Sequence, residues 1–171
     1  MKNMENNKEQ TYIEERLSSF EEELDTLIAN IGITLNNTGE CNKVLNFTFE
    51  DLTNLDSEQC AIYQIQLEQY ALYVQQLTNR SYSIQNWINH NMNVIFGKEI
   101  QNIGTQYTKF EEKKICFIQN NSYATALNKQ LLTITSKCIE LNSLSSKISQ
   151  IASSLSNLGK TKSWIKQANQ N

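Results

Sequence analysis

The sequence predicts an all-α protein, an elongated helical bundle or coiled coil of about three helices, two of them long. Three observations carry this. The 171 residues contain no proline, the residue that most strongly ends a helix. They contain only five glycines: Gly32, Gly39, Gly97, Gly104 and Gly159. And the apolar residues recur at alternating spacings of three and four, the signature of a heptad seam. The length fits one domain with a real core.

Helix one is predicted over about 8 to 31. Ile13, Leu17, Phe20, Leu24, Leu27 and Ile31 follow one another at gaps of 4, 3, 4, 3 and 4. Acids such as Glu14, Glu15, Glu21, Glu22, Glu23 and Asp25 keep its other faces in water, and Gly32 fits a C-terminal stop. Residues 32–55 then lose the period. NNTGE has turn composition, Val44, Leu45, Phe47, Phe49 and Leu52 pin this connection onto the bundle, and a short hairpin fits it.

Helix two is predicted over 57–96, roughly 60 Å of helix at 1.5 Å per residue. Asp56 is an N-cap with Gln59 three residues on, a capping-box variant. The seam runs Cys60, Tyr63, Leu67, Tyr70, Val74, Leu77, Ser81, Ile84, Ile88, Asn91, Ile95, and Asn91 is a polar residue of the kind that fixes register. Gly97 and Gly104 bracket a break. Helix three starts from 105, with Tyr107, Phe110 and Phe117 on one face, and continues as Ala124, Leu127, Leu131, Ile134, Cys138, Leu141, Ser145, Ile148, Ala152 and Leu155. Gly159 stands as its C-terminal cap. The chain thus divides into an acidic helix and loop (1–55), a long helical hairpin (56–159) and a basic tail (160–171). Narrow seams on unequal helices predict a homo-oligomer, formed through Ile13, Leu17, Phe20, Leu24, Tyr70, Val74 and Leu77.

The net charge of −3 hides a split. Residues 1–79 carry 14 acids and 4 bases, whereas 80–171 carry 4 acids and 11 bases. Such asymmetry points either to a basic module for nucleic acid or an acidic partner, or to two halves that neutralise each other.

Catalytic signatures are missing from the sequence. His90 is the single histidine, and a lone histidine on a helix face is usually a boundary residue. There is no H-E-x-x-H, no Cys/His cluster and no carboxylate-rich loop, so no metal and no cofactor is expected. Gly159–Thr161 reads GKT, but a P-loop needs a glycine where Ser154 stands and a preceding strand. Tyr63, Tyr70 and Tyr73 at helical spacing read as core. Cys41, Cys60, Cys116 and Cys138 are widely spaced and read as reduced thiols of a cytosol-like compartment, the host cytoplasm for a viral protein. MKNMENNKEQ lacks the apolar run of a signal peptide, and no apolar run reaches membrane-span length. A non-enzymatic protein without a membrane role is therefore expected.

The basic residues are the positive signal. Lys98, Lys109, Lys113, Lys114, Lys129, Lys137 and Lys147 precede a closing run, LGKTKSWIKQANQN, with Lys160, Lys162 and Lys166 around Trp164. Glu140 is the last acid. Lysines along a helix track phosphates without reading sequence, and an exposed tryptophan stacks on an unpaired base. Single-stranded nucleic acid is the expected ligand. A chain ending at Gly159 is expected to bind less, with a log–log salt slope smaller by about 2 for three lysines lost. The bland counterpart is a structural or adaptor coiled-coil protein, a virion component or protein-binding regulator, whose lysines serve solubility.

The stretch LDSEQCAIYQIQLEQYALYVQQLTNRSYSIQNW, followed by YTKFEEKKICFIQNNSYATALNKQ, resembles small helical proteins of tailed phages, similar in layout to the phage recombination-mediator family (UvsY-type). In that layout a Tyr-Ala-rich helix carries an Asn-Arg and a later Trp, here Asn79-Arg80 and Trp87. A second helix opens with a Glu/Lys cluster, here Glu111-Glu112-Lys113-Lys114. The resemblance covers about residues 55–160. It implies a ring-forming mediator that binds single-stranded DNA and helps load a RecA-like recombinase against a single-strand binding protein. The family's basic pair falls near Lys98 to Gln101, where Lys98 stands beside Glu99, and the acidic first helix has no counterpart in the family pattern.

The charge split adds a mechanism as hypothesis. The acidic first helix masks the basic C-terminal face, like a phosphate backbone, until DNA or a partner displaces it. Removal of residues 1–31 is then expected to tighten DNA binding.

Overall fold

The computed structural model describes residues 2–31, 38–105 and 107–169. Among these described residues six α-helices follow in order: α1 (Lys2–Ile31), α2 (Thr38–Leu45), α3 (Phe49–Asn54), α4 (Ser57–Glu99), α5 (Phe110–Asn120) and α6 (Ser122–Ala168). A 3-10 turn, Ile100–Asn102, follows α4. Among the described residues there is no strand, so the protein is all-α. Nor, among the described residues, is any helix long and apolar enough to cross a membrane.

Over its described part, 38–55, the connection carries two short helices and no hairpin. Thr38, Gly39 and Glu40 lie in α2; Gly32 and the Asn36 and Asn37 of NNTGE lie outside the described residues, as does the Ile31 side chain. Thr48 starts α3 with a full capping box: its hydroxyl accepts from the Asp51 amide, and Asp51 accepts from the Thr48 amide at 2.8 Å. Two orphan donors are satisfied in one turn, which outweighs the strand preference of Val44, Phe47 and Phe49. Asp56 caps α4 as its sequence predicts. The Gln59 amide donates to Asp56 Oδ1 at 2.7 Å, and the Asp56 amide donates to Gln59 Oε1 at 3.0 Å.

Neither Gly97 nor Gly159 ends a helix. Gly97 lies inside α4, and the turn comes later, at Gly104 with φ +69°. Gly159 is buried inside α6, where an added Cβ would stand 3.0 Å from the Cys60 Cβ and 3.4 Å from the Ser57 carbonyl oxygen. Glycine is there for close approach of α6 to the start of α4. The segment 160–168 is accordingly helix and not tail. The predicted third helix is two, divided at Asn121. That residue closes α5 by donating its amide to the Phe117 carbonyl, and its side chain accepts the Ala124 amide at 2.9 Å to cap α6.

Contacts gather the chain into two units. The first comprises residues 1–32 and 79–138, the second 33–78 and 139–171. This grouping differs from 1–55, 56–159 and 160–171 because each unit pairs helical stretches distant in sequence. In the first unit α1, α4, α5 and α6 bury Ile13, Ile84, Ile88, Met92, Phe96, Phe117, Ala124 and Leu127 together. In the second, α2, α4 and α6 bury Cys41, Val44, Leu67, Ala71, Val74, Ile148, Ala152 and Leu155.

The seam of α6 is buried or half-buried along its length. That of α4 shifts at its end: Met92 and Phe96 are buried, where strict heptads select Asn91 and Ile95. A straight helix turns 3.6 residues and drifts against a 3.5 repeat. Asn91 donates to the Trp87 carbonyl of its own helix at 2.8 Å, so this bond fixes no register between helices.

Candidate nucleic-acid interface

The residues expected to make an oligomer are used within the chain. Ile13 is fully buried, and Leu17, Phe20 and Leu24 pack on the same core. Val74 is buried in the core of the second unit and Tyr70 packs against that core, while Leu77 is half-buried. Tyr63 and Phe47 meet in a T-shaped arrangement at 5.3 Å, and Tyr70 stacks with Tyr73.

The lysines divide between the units. Lys98, Lys109, Lys129 and Lys137 are exposed in the first, with Lys113 and Lys114 half-buried on α5. Lys147, Lys160 and Lys166 are exposed in the second. Folding cancels the charge split of the sequence. The first unit holds 11 acids and 10 bases, the second 7 acids and 5 bases. The halves neutralise each other because each unit takes one stretch from the acidic half and one from the basic half.

In the first unit this pairing is specific. Arg80, its side chain 20% exposed, donates Nε to Asp25 Oδ1 at 2.6 Å and Nη2 to Asp25 Oδ2 at 3.0 Å, with Glu21 3.6 Å from Nη1. Two parallel bonds to one carboxylate are the strong form of an arginine pair. The hydrogen bond to Arg80 holds the Asp25 carboxyl below its ordinary range, and the same bond raises Arg80. Two turns along α4, Trp87 stacks on Phe20 of α1 at 5.7 Å and 21°, and the Arg16 guanidinium lies 5.7 Å from the indole centroid. Beside them a groove of about 380 Å³ has Leu17, Ile84 and Ile88 among its walls, with Glu14 and Glu21 of α1 and Lys129 and Lys137 of α6.

In the second unit Lys162 is half-buried, and its ammonium donates to the carbonyls of Leu52 (3.1 Å), Thr53 (2.8 Å) and Leu55. These are carbonyls that the end of α3 leaves without helical partners. A lysine that sequence alone assigns to phosphate therefore serves as a helix cap.

Trp164 is 69% exposed. Lys160 stands one turn before it, so the two share a face. Lys166 falls on the other side of α6, with Lys162. The same exposed face runs back through Asn157, Ser153, Gln150 and Ser146, and none of these is acidic.

Burial raises the Cys41, Cys60 and Cys138 thiols, while Cys116 is exposed. His90 lies on the outer face of α4. Among the described residues no three His, Cys, Asp or Glu side chains gather as for a metal ion. Sequence reasoning missed the Arg80–Asp25–Glu21 cluster and the Phe20–Trp87 stack, since residues 55 apart carry no periodic signal. No protein-family model, curated protein or solved structure matches the chain.

Proposed function

We propose that this is a non-enzymatic helical protein that binds single-stranded nucleic acid, with its contact on the exposed face of α6 around Lys160 and Trp164. The observation that supports this is the exposed indole one turn from a free-standing lysine, on a helix face without acids. An indole stacks on any unpaired base, an interaction of about 1–3 kcal/mol, and a duplex offers no such base in its interior. The polar, uncharged residues behind the pair accept a phosphate backbone without repulsion. A recombination-mediator role, loading a RecA-like recombinase, is the biological setting that the likeness to the phage family implies. Anisotropy of a labelled single strand, beside a duplex of equal length, tests the reading. Single strands are expected to bind better, and Trp164→Ala to weaken that binding about tenfold, consistent with the stacking energy. Equal binding of both forms, or an indifferent Trp164→Ala, would refute it.

A second reading, a protein adaptor or self-associating coiled coil, is favoured by one feature. Ile62, Ile65 and Leu72 stand 48, 55 and 59% exposed on one stripe of α4. The contact for association then lies on this outer stripe, since the inner seams are already filled. Sedimentation analysis of Ile65→Lys tests it: a shift from oligomer to monomer supports association there, and an unchanged mass opposes it.

A further inference from the structure

The strongest unexplained feature is what α1 places on α4. The Asp25 carboxylate gives two oxygens to the Arg80 fork at 2.6 and 3.0 Å. A phosphate presents the same pair of acceptors. The Phe20 ring lies nearly parallel to Trp87, 21° apart at 5.7 Å, which is where an unpaired base would lie. Glu21 adds a second anion 3.6 Å from the same guanidinium. One short stretch of α1 thus offers anion and flat ring to a cation and an indole two turns apart.

We propose that residues 20–27 of α1 form a strap that occupies a second single-strand contact, Arg80 and Trp87, and that nucleic acid displaces the strap. This rests on the reading that the protein binds single strands. It corrects the masking expected from charge alone, because α1 belongs with Arg80, Trp87, Lys129 and Lys137, whereas Lys160, Lys162 and Lys166 belong to the other unit.

The fold lets this stretch lift at modest cost. Ile13, fully buried, anchors the earlier part of α1. Beyond it Phe20 and Leu24 are half-buried, and Leu27 is 62% exposed. The last turn of α1 carries no base to meet its negative dipole end, while Glu21, Glu22, Glu23 and Asp25 crowd the turns before it. The turn that follows the strap therefore lacks a charge that would brace the helix end.

The test uses a labelled oligo-dT and the full chain. Glu21→Gln/Asp25→Asn removes both anions facing Arg80. Glu22→Gln/Glu23→Gln makes the same change in net charge at exposed positions of the same helix. The first double variant is expected to bind about tenfold tighter, within the usual range for competing sites. The second is expected to stay near wild type, and adding Arg80→Gln to the first is expected to abolish its gain. Amide hydrogen exchange of wild type reads the strap directly: protection of residues 20–27 is expected to fall when oligo-dT saturates the protein. Equal tightening by both double variants, a gain that survives Arg80→Gln, or protection that holds or rises would overturn the proposal. Wild-type binding that depends on Trp164 together with any of those results would leave the single-strand reading standing and remove only the strap. Absence of binding by every variant would remove both.

Discussion

Lys162 separates a structural role from a nucleic-acid role. Its ammonium meets the Leu52, Thr53 and Leu55 carbonyls at the end of α3. Lys162→Met keeps most of the stem and deletes the charge. Hydrogen bonds to a charged donor contribute about 1.5–3 kcal/mol when buried. Here the Thr53 bond is exposed and the other two are part-buried, so water replaces a share of the loss. The cation also faces the negative end of a helix, an effect of about 0.3–1 kcal/mol. Together these put the destabilisation at about 1–2 kcal/mol. Lys160→Met and Lys166→Met, both exposed, are expected to stay within about 0.5 kcal/mol. Urea unfolding followed by circular dichroism reads the difference as a shift in midpoint at constant slope. Equal midpoints for Lys162→Met and Lys160→Met would refute the cap. The cap also makes truncation after Gly159 a poor probe of ligand binding, because it removes a structural contact with the lysines.

Four further outcomes follow from the packing. Gly97→Ala is expected to raise stability by about 0.5–1 kcal/mol, since the site is helical and an added Cβ meets nothing within 4 Å. Gly159→Val is expected to lower it by about 1–3 kcal/mol by overpacking against Cys60, as thermal unfolding would show. A thiol reagent is expected to modify Cys116 rapidly in the native protein and Cys41, Cys60 and Cys138 only on unfolding, because burial both covers those sulfurs and disfavours their thiolates. The fourth concerns acid. Asp25 titrates below its ordinary 3.8 in the folded protein, so its contribution to holding α1 is complete above that pH and is lost as pH falls through the lowered value. Trp87 emission in a Trp164→Phe background should change in that acid range, and the Asp25→Asn variant should show a smaller acid transition.

Much of the helical content was legible because it is local. The α6 seam, the Asp56–Gln59 cap and the all-α class each rest on spacings within one helix. The glycines misled because a glycine marks either a helix end or a close approach, and only the partner helix tells which. Gly159 faces Cys60 across 99 residues of sequence. Thr48–Asp51 and Asn121 were readable caps, hidden by the apolar residues around Thr48 and by the uninterrupted period around Asn121. At the candidate interface, sequence displayed Trp164 and its lysines correctly as a cluster in one dimension. It did not reveal that Lys162 is turned to α3, that Lys166 lies on the far side, or that the acidic and basic halves meet in each unit.

The most direct measurement is the salt dependence of single-strand binding by wild type and Lys160→Met. Of the three lysines around Trp164, Lys160 shares its face, so one phosphate contact should be lost. The log–log slope is then expected to fall by about 0.7, the share of one phosphate contact. An unchanged slope, or no binding of single strands at low salt, would contradict the account.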